Sequence, residues 1–198
     1  MNELRSMKII RLNEIYDGIK NLLECDDLPI CQELTCIECN LTQLPRLPEC
    51  RILCCPHNQL TNLPSLPNCQ KLYCDHNILT ELPLLPKCER IVCSHNQLVK
   101  LPNLLQCREL YCDHNKLTKL SDLQQCHSIY CEHNQLTQLT EKFELPMCSI
   151  LQCDHNYLTV LPNLPHCLSL NCDFNQLTSL PNLPHGCSIS CRYNYNLQ

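Results

Sequence analysis

The sequence predicts a repeat solenoid of α/β or mainly β class, in which short parallel strands stack into one sheet. A unit of 19 residues recurs from Cys31 to the end of the 198-residue chain. Within each unit, two fixed positions alternate with variable residues, as in a strand with one buried face. Most units also have a proline-rich half that cannot form a regular helix. Short units of this kind bury their apolar faces only against their neighbours, so they stack into an elongated coil.

The first half of the unit predicts the strand and the turn after it. One copy, from Cys69 to Lys87, reads C-Q-K-L-Y-C-D-H-N-I-L-T-E-L-P-L-L-P-K, and we number it 1 to 19 from its first cysteine. Position 4 is Leu or Ile and position 6 is Cys, so we expect both to be buried. Position 9 is Cys39 in the first copy and Asn from Asn58 onward. Asparagine tolerates turn geometry, and stacked copies should place its amides in a ladder that satisfies the buried turn.

The second half of the unit predicts an extended return segment on the convex side of the coil. Leucine recurs at positions 11, 14 and 17, and proline often follows it, as in Leu63-Pro64 and Leu66-Pro67. Because proline fixes φ and lacks an N–H, a polyproline-like path is expected. The frame predicts a right-handed coil. Its spacing slips once, where the sixth copy gains three residues within Thr140–Pro146.

The residues before the first repeat predict a cap. The pattern places six apolar residues on one face of a helix: Ile9, Leu12, Ile15, Ile19, Leu22 and Leu23. We therefore expect residues 2–24 to form one or two helices that cover the first repeat, as a terminal unit must. The predicted organisation is a helical cap at residues 1–30 and nine repeats at 31–198. The last repeat is truncated, and all nine form one continuous domain.

The frame C-x-x-L-x-C-x-x-N-x-L-T-x-L-P-x-L-P resembles the leucine-rich repeat, with cysteine where two leucines usually stand. Its L-P-x-L-P half resembles the short-repeat effectors of pathogenic bacteria, and its cysteine content resembles repeat proteins of giant DNA viruses of amoebae. The resemblance covers residues 31–198. It implies a leucine-rich-repeat parallel sheet that binds proteins on its concave face, with a helical hairpin before the first repeat.

Composition and motifs narrow the class of function. The net charge of −5 does not favour a nucleic-acid partner, and no apolar run is long enough to span a membrane. Residues Met1 to Ser6 have no apolar signal-peptide core, so we expect a cytoplasmic protein, in a host or infected cell, or a virion protein. We find no nucleophile–base pair and no phosphate loop, since the only glycines are Gly18 and Gly186. The chain is therefore not expected to be an enzyme or to need a cofactor.

The cysteines are predicted to be reduced core groups. Of the 21 cysteines, 18 lie at positions 1, 6 and 9, where the frame requires small buried groups. Disulfides between adjacent copies and a metal site are the alternatives. Three thiols converge where Cys36 and Cys39 lie beside Cys55, although a single C-x-x-C motif is a weak signal. Cys25, Cys54 and Cys187 fall outside the repeating positions, and Cys54 is the best candidate for an exposed thiol.

The outward strand positions 5 and 7 are predicted to line the concave face. They combine tyrosine, a favoured anchor at protein interfaces, with an acidic row that should attract basic partners. The predicted partner-binding residues are Tyr73, Asp75, Tyr111, Asp113, Tyr130, Glu132, Asp154 and Asp173. Position 8 adds a histidine row: His57, His76, His95, His114, His133 and His155, followed by Phe174. Such a row would suit a transition metal, but the sequence supplies no tetrahedral set, so no metal residues are predicted.

These observations favour a non-catalytic scaffold that binds a protein on its concave face. A second hypothesis is a thiol or metal module that uses the cysteine and histidine rows. A third is a structural assembly unit that self-associates through its C-terminal edge. At that edge, Tyr193, Tyr195 and Leu197 must cover the last apolar layer, or another chain must do so.

Overall fold

The structure is a computed structural model that describes residues 2–13, 22, 24–140, 144–195 and 197. It contains one sheet of ten parallel strands that follow each other in chain order. The described elements are α1 (Asn2–Arg5), β1 (Ile9–Asn13), β2 (Glu33–Ile37), β3 (Ile52–Cys54), β4 (Lys71–Tyr73), β5 (Arg90–Val92), β6 (Glu109–Tyr111), β7 (Ser128–Tyr130), β8 (Ile150–Gln152), β9 (Ser169–Asn171) and β10 (Ser188–Ser190). The predicted parallel solenoid is thereby confirmed, and its right-handed sense stays a prediction.

Each repeat contributes one strand, at positions 3 to 5, and equivalent positions pair with each other. Leu72 pairs with Ile91, which pairs with Leu110. The backbone ladder continues beyond the strands, because Cys74 N donates to Val92 O at 2.8 Å and His76 N donates to Ser94 O at 3.0 Å. Leu110 and Cys112 are fully buried, as the alternation predicts. Identical spacing in every copy therefore stacks identical side chains in the core.

The return segments are extended. None of residues 24–140 and 144–195 is helical. Leucines at positions 14 and 17 turn into the core, and Leu66, Leu123 and Leu164 are completely buried there. Full burial of a leucine stabilises a fold by about 1.5–3 kcal/mol relative to exposure. The prediction that the proline-rich return is not a regular helix is confirmed for these residues, and its polyproline-like path stays a prediction.

The helical prediction for residues 2–24 is wrong for Ile9–Asn13, which form strand β1. This strand pairs in parallel with β2, so that Ile10 lies beside Leu34 and Leu12 beside Cys36. Ile10 and Leu12 are buried, whereas Ile9 is 50% exposed, so burial alternates with the period of a strand. The physical reason is the open edge of β2, whose unpaired N–H and C=O groups are satisfied by a strand and not by a helix. Among the described residues of this region, α1 is a helix of four residues and Leu22 is also helical, whereas the prediction for 14–21 and 23 lies outside the described residues.

The asparagines at position 9 form the predicted ladder. The Nδ2 group of Asn77 donates to Cys55 O at 3.0 Å in the preceding repeat and to Cys74 O at 3.1 Å in its own. Its Oδ1 accepts from Leu60 N at 2.9 Å, again in the preceding repeat. The same pattern recurs from Asn58 to Asn194. Each amide thus joins two turns and satisfies backbone groups that are buried from water.

The extra residues of the sixth copy leave the sheet intact. Strands β7 and β8 flank them and pair directly, with Ile129 beside Leu151. The insertion is therefore accommodated outside the strand frame. Residues 141–143 lie outside the described part of the chain.

Replacing Asn115 with alanine should lower the free energy of unfolding by about 2–4 kcal/mol, because buried backbone groups then lose their partners. The lost bonds are those from Nδ2 to Cys93 O, Cys112 O and Asp113 O and that from Leu98 N to Oδ1. Urea unfolding followed by circular dichroism measures the effect. Asn103→Ala is the matched control, since Asn103 is exposed. Equal stability of the two variants would contradict a structural role for the ladder.

Candidate protein interface on the sheet

The side chains at positions 3, 5 and 7 of the repeats share the face of the sheet that points away from the core. In the strands β3 to β9 the middle residue is buried and position 5 is half-buried. The eight residues predicted to bind a partner all lie on this face and are half-buried: Tyr73, Asp75, Tyr111, Asp113, Tyr130, Glu132, Asp154 and Asp173. The sheet therefore brings them together in two adjacent rows, one of tyrosines and one of acids.

The tyrosine row forms an ordered aromatic surface. The rings of Tyr111 and Tyr130 stack, with centroids 4.5 Å apart and an angle of 5° between their planes. The Arg90 guanidinium lies 5.3 Å from the centroid of Tyr111 and 5.9 Å from that of Tyr73. We call Tyr73, Arg90, Tyr111 and Tyr130 the tyrosine patch. A cation over aromatic rings is attracted by their electron-rich faces, so Arg90 links Tyr73 to the stacked pair.

Arg90 was missed by the sequence analysis, which considered only positions 5 and 7. Position 3 lies two residues before position 5 and so shares its face of the strand. This signal was present in the sequence. The structure also pairs the Arg90 guanidinium with the carboxylate of Glu109 on the next strand. The sheet face is consequently acidic, but it also carries this paired arginine.

The acids at position 7 are held by hydrogen bonds between neighbouring repeats. Asp113 accepts from the Ser94 hydroxyl. Asp154 Oδ1 accepts from Asn171 Nδ2 at 2.8 Å. Asp173 Oδ1 accepts from the Ser190 hydroxyl at 2.8 Å. The carboxylates are therefore oriented along the row before any partner binds.

Glu132 differs from the other acids because its carboxyl group is poorly hydrated. Burial raises the pKa of Glu132 from 4.5 to about 7, and the nearby carboxylates of Asp113 and Asp154 add to the rise. Its Oε2 atom is buried without a hydrogen-bond partner. Glu132 is thus only partly ionised near neutral pH, and it weakens the negative charge at the centre of the row.

The histidines at position 8 form a continuous stack beside the acids. All six have positive φ, between 51° and 54°, so every ring leaves the turn in the same direction. Consecutive rings from His57 to His155 have centroids 4.2–4.4 Å apart. Phe174 and Tyr193 continue the stack. Burial and the neighbouring imidazoles lower the pKa of His95 and of His133.

The cysteines of the repeat frame lie in the core. Those at positions 1 and 6 are buried, with the exception of Cys191, which is half-buried. Position 1 thiols donate to the position 3 carbonyl of their own repeat, as from Cys69 Sγ to Lys71 O at 3.3 Å. Several position 6 thiols donate to the next strand, as from Cys93 Sγ to Tyr111 O at 3.4 Å. Burial raises the pKa of the Cys50 and Cys148 thiols to about 12. Such thiols stay protonated at neutral pH and are poor nucleophiles and metal ligands.

Two thiols outside this frame differ from what the sequence suggests. Cys187, which the spacing places outside the frame, takes the place of a position 1 cysteine. Its thiol donates to Ser188 O at 3.8 Å, the position 3 carbonyl of its repeat. Gly186, with φ of +85°, allows the one-residue offset. Cys54 is half-buried at position 5 of the sheet face, and burial raises the pKa of its thiol.

The edges of the sheet differ in how well they are covered. Position 4 is 0–2% exposed in the repeats from Leu34 to Leu170, but Ile189 in β10 is 45% exposed. Tyr195 is 91% exposed and does not cover this layer. Self-association through this edge stays a prediction. In the described part of the chain, no helix combines the length and the apolar character needed to cross a membrane.

Comparison with known proteins identifies the class of the chain. No protein-family model and no curated protein matches it. The structure is similar to that of YopM, a leucine-rich effector protein from Yersinia pestis, with a TM-score of 0.74 and 36% identity over 81% of this chain and 48% of that one. YopM from Yersinia enterocolitica gives a TM-score of 0.50 and 26% identity over 77% of this chain and 44% of that one.

A leucine-rich-repeat protein of Leptospira interrogans matches over 99% of this chain and 66% of its own length. Its TM-score of 0.60 and 23% identity indicate a shared fold alone. The chain is a leucine-rich-repeat protein with repeats of about 19 residues, and it resembles the bacterial effector YopM. It spans a little under half the length of the YopM chains that it matches.

Native protein should react with an alkylating reagent only at its half-buried thiols. These are Cys54, Cys187 and Cys191, and every other cysteine is buried. Intact-mass spectrometry in buffer without reductant should therefore show no more than three adducts before denaturation and 21 adducts in urea. Fewer than 21 adducts in urea would show that some core thiols are paired as disulfides.

We expect Glu132→Gln to change the free energy of unfolding in a pH-dependent way. Its effect should be more stabilising at pH 8 than at pH 4.5, by on the order of 1 kcal/mol. The folded state binds the proton of Glu132 more tightly than the unfolded state, so wild-type stability falls as the pH rises from 4.5 to about 7. The glutamine side chain does not ionise, so the variant does not lose stability in this way as the pH rises. Urea unfolding at both pH values measures it, and Glu49→Gln is the exposed control. A pH-independent effect of Glu132→Gln would refute the proposed burial of charge.

Proposed function

We propose that the protein is a non-catalytic scaffold that binds a partner protein through the tyrosine patch and the acidic row beside it. The observation that carries the proposal is the stack of Tyr111 on Tyr130 with Arg90 above Tyr111. Tyrosine and arginine are enriched among the residues that dominate binding energy at protein interfaces. Because hydrogen bonds and stacking already order these side chains, little conformational entropy is lost when a partner binds.

The chemistry of the partner follows from the charge of the face. Asp75 and Asp113 lie beside the tyrosine patch, Asp154 and Asp173 continue the acidic row beyond it, and the chain has a net charge of −5. A partner with a basic surface is therefore favoured, and its attraction should mainly speed association. Arg90 and Glu109 neutralise each other within the patch, so the centre of the contact is aromatic rather than charged.

The similarity to YopM, whose structure is described as that of an effector protein, supports an analogous role. We propose that this chain acts on host proteins, as a viral or pathogen protein in the cytoplasm of a host or infected cell. The proposal rests on fold-level similarity for the setting and on the tyrosine patch for the binding site. Both can be tested separately.

The combined change Tyr111→Ala and Tyr130→Ala should abolish capture of the partner. Central aromatic anchors typically lose on the order of 2 kcal/mol or more of binding free energy on truncation. Wild-type and variant protein are immobilised, exposed to the same host lysate and compared by quantitative mass spectrometry. A lysate protein that the wild type captures and the double variant does not is then purified, and its affinity for both is measured. Its binding to the wild type should weaken as salt concentration rises.

Tyr157→Ala is the matched control, because Tyr157 is 53% exposed and lies at position 10, outside the sheet face. Thermal unfolding of each variant verifies that the fold is kept. A partner that binds the double variant at full strength would contradict the proposal. If that partner is lost instead on truncation before Arg192, the function lies at the C-terminal edge.

A further inference from the structure

The histidine row and the acidic row meet in a pattern that neither row shows by itself. Each of three aspartates lies between the imidazoles of two consecutive repeats, and the ligand atoms of each group lie within 4.8 Å of one another. The three groups are His57, Asp75 and His76; His95, Asp113 and His114; and His133, Asp154 and His155. In each group the histidine that directly follows the aspartate contacts its Oδ2 through Nδ1. The distances are 3.1 Å at His76, 3.0 Å at His114 and 2.8 Å at His155.

We propose that these three groups are binding sites for divalent transition-metal ions such as Zn²⁺ or Ni²⁺, arranged in a line along one border of the sheet. Each site offers two imidazoles and one carboxylate, and water completes the coordination. Imidazole nitrogen suits zinc and nickel, whereas magnesium and calcium require sets made of oxygen ligands. The three aspartates also belong to the acidic row, but the inference does not require a protein partner.

The spacing of the sites follows from the repeat. Position 8 is a histidine in six consecutive copies, but position 7 is an aspartate only in every second one of these. Ser94 and Glu132 occupy the two intervening copies. No histidine is shared between groups, so the sites do not compete for ligands. Parallel strands are about 4.8 Å apart, and two repeats therefore separate neighbouring sites by about 10 Å.

The backbone presents the imidazoles in a fixed arrangement. The left-handed turn at position 8, with φ near 53° at His76 and His95, points each ring along the same direction. The imidazole side chains are 40–45% exposed at His76, His114 and His155, which leaves their ring nitrogens accessible to an ion. The aspartate side chains are less exposed, at 14–21%. Their contacts with the imidazole rings orient both ligands. Only side-chain rotation is needed to bring the three ligand atoms around one ion.

The core cysteines do not compete for the same ions. A thiol must lose its proton to bind a metal, and the position 1 and 6 thiols of this region are buried in an apolar layer. Cys54 is a half-buried thiol near this border, and the Asp75 carboxylate lies close enough to act on its charge. A Cys54→Ser background therefore removes the nearest alternative ligand.

The test titrates Ni²⁺ into the full chain carrying Cys54→Ser, by isothermal calorimetry and by NMR of the histidine ring protons. We expect three ions per chain and selective broadening of the ring signals of the six position 8 histidines. In the variant with Asp75→Asn, Asp113→Asn and Asp154→Asn, affinity should fall by about 10-fold or more, the scale of losses when groups around a metal are removed. Asp113→Asn alone should leave two ions bound with the parent affinity and weaken the third by about 10-fold or more.

Asp173→Asn is the matched control, because Asp173 occupies position 7 of a repeat whose position 8 is Phe174. It should bind Ni²⁺ like the parent, and thermal unfolding verifies that each variant is folded. Absence of saturable binding overturns the proposal. So does unchanged binding in the Asp75, Asp113 and Asp154 variant, or binding that disappears on alkylation of exposed thiols.

Discussion

The hydrogen bonds of the position 9 asparagine are the constraint on which the rest of this structure depends. In each repeat from Asn58 onward the amide joins its own turn to the turn before it, for example from Asn96 Nδ2 to Cys74 O at 3.0 Å and to Cys93 O at 3.1 Å. A buried carbonyl that lost this partner would cost about 1–3 kcal/mol. The asparagine also follows directly after the residue with positive φ. It therefore fixes the turn from which both the histidine row and the acidic row are displayed.

The limited space in the core explains why cysteine occupies positions 1 and 6 of the repeat. Positions 1 and 6 lie against the position 4 leucines in a coil with one short strand and one extended return per copy. A thiol is small and apolar enough to be buried there, and it can still donate a weak hydrogen bond. Cys107 Sγ, for instance, donates to Glu109 O at 3.4 Å. Packing in the core therefore accounts for the many cysteines of the repeat frame.

Two surfaces with different chemistry lie side by side on the sheet. The tyrosine patch offers aromatic area with one cation, Arg90, that is paired with Glu109. The histidine row offers ring nitrogens beside carboxylates. Both arise because the same residue type recurs at the same position of successive repeats. Equivalent side chains are therefore one strand spacing apart and contact each other. A repeat protein can thus build an extended surface from a single turn that is copied many times.

The sequence by itself determined the fold and the rows of this protein. The period, the burial of positions 4 and 6, the amide ladder and the outward direction of Tyr111 and Asp113 follow from spacing, because each depends on local geometry that every copy repeats. Tertiary structure alone decided what depends on a neighbour in space. Ile9–Asn13 became a strand because an open sheet edge needed pairing, although the apolar residues of 9–23 also fit a helical period. Arg90 reached two tyrosines on other strands, and Asp75 came between two histidines 19 residues apart. Such contacts depend on side-chain direction across strands, which spacing within one copy does not specify.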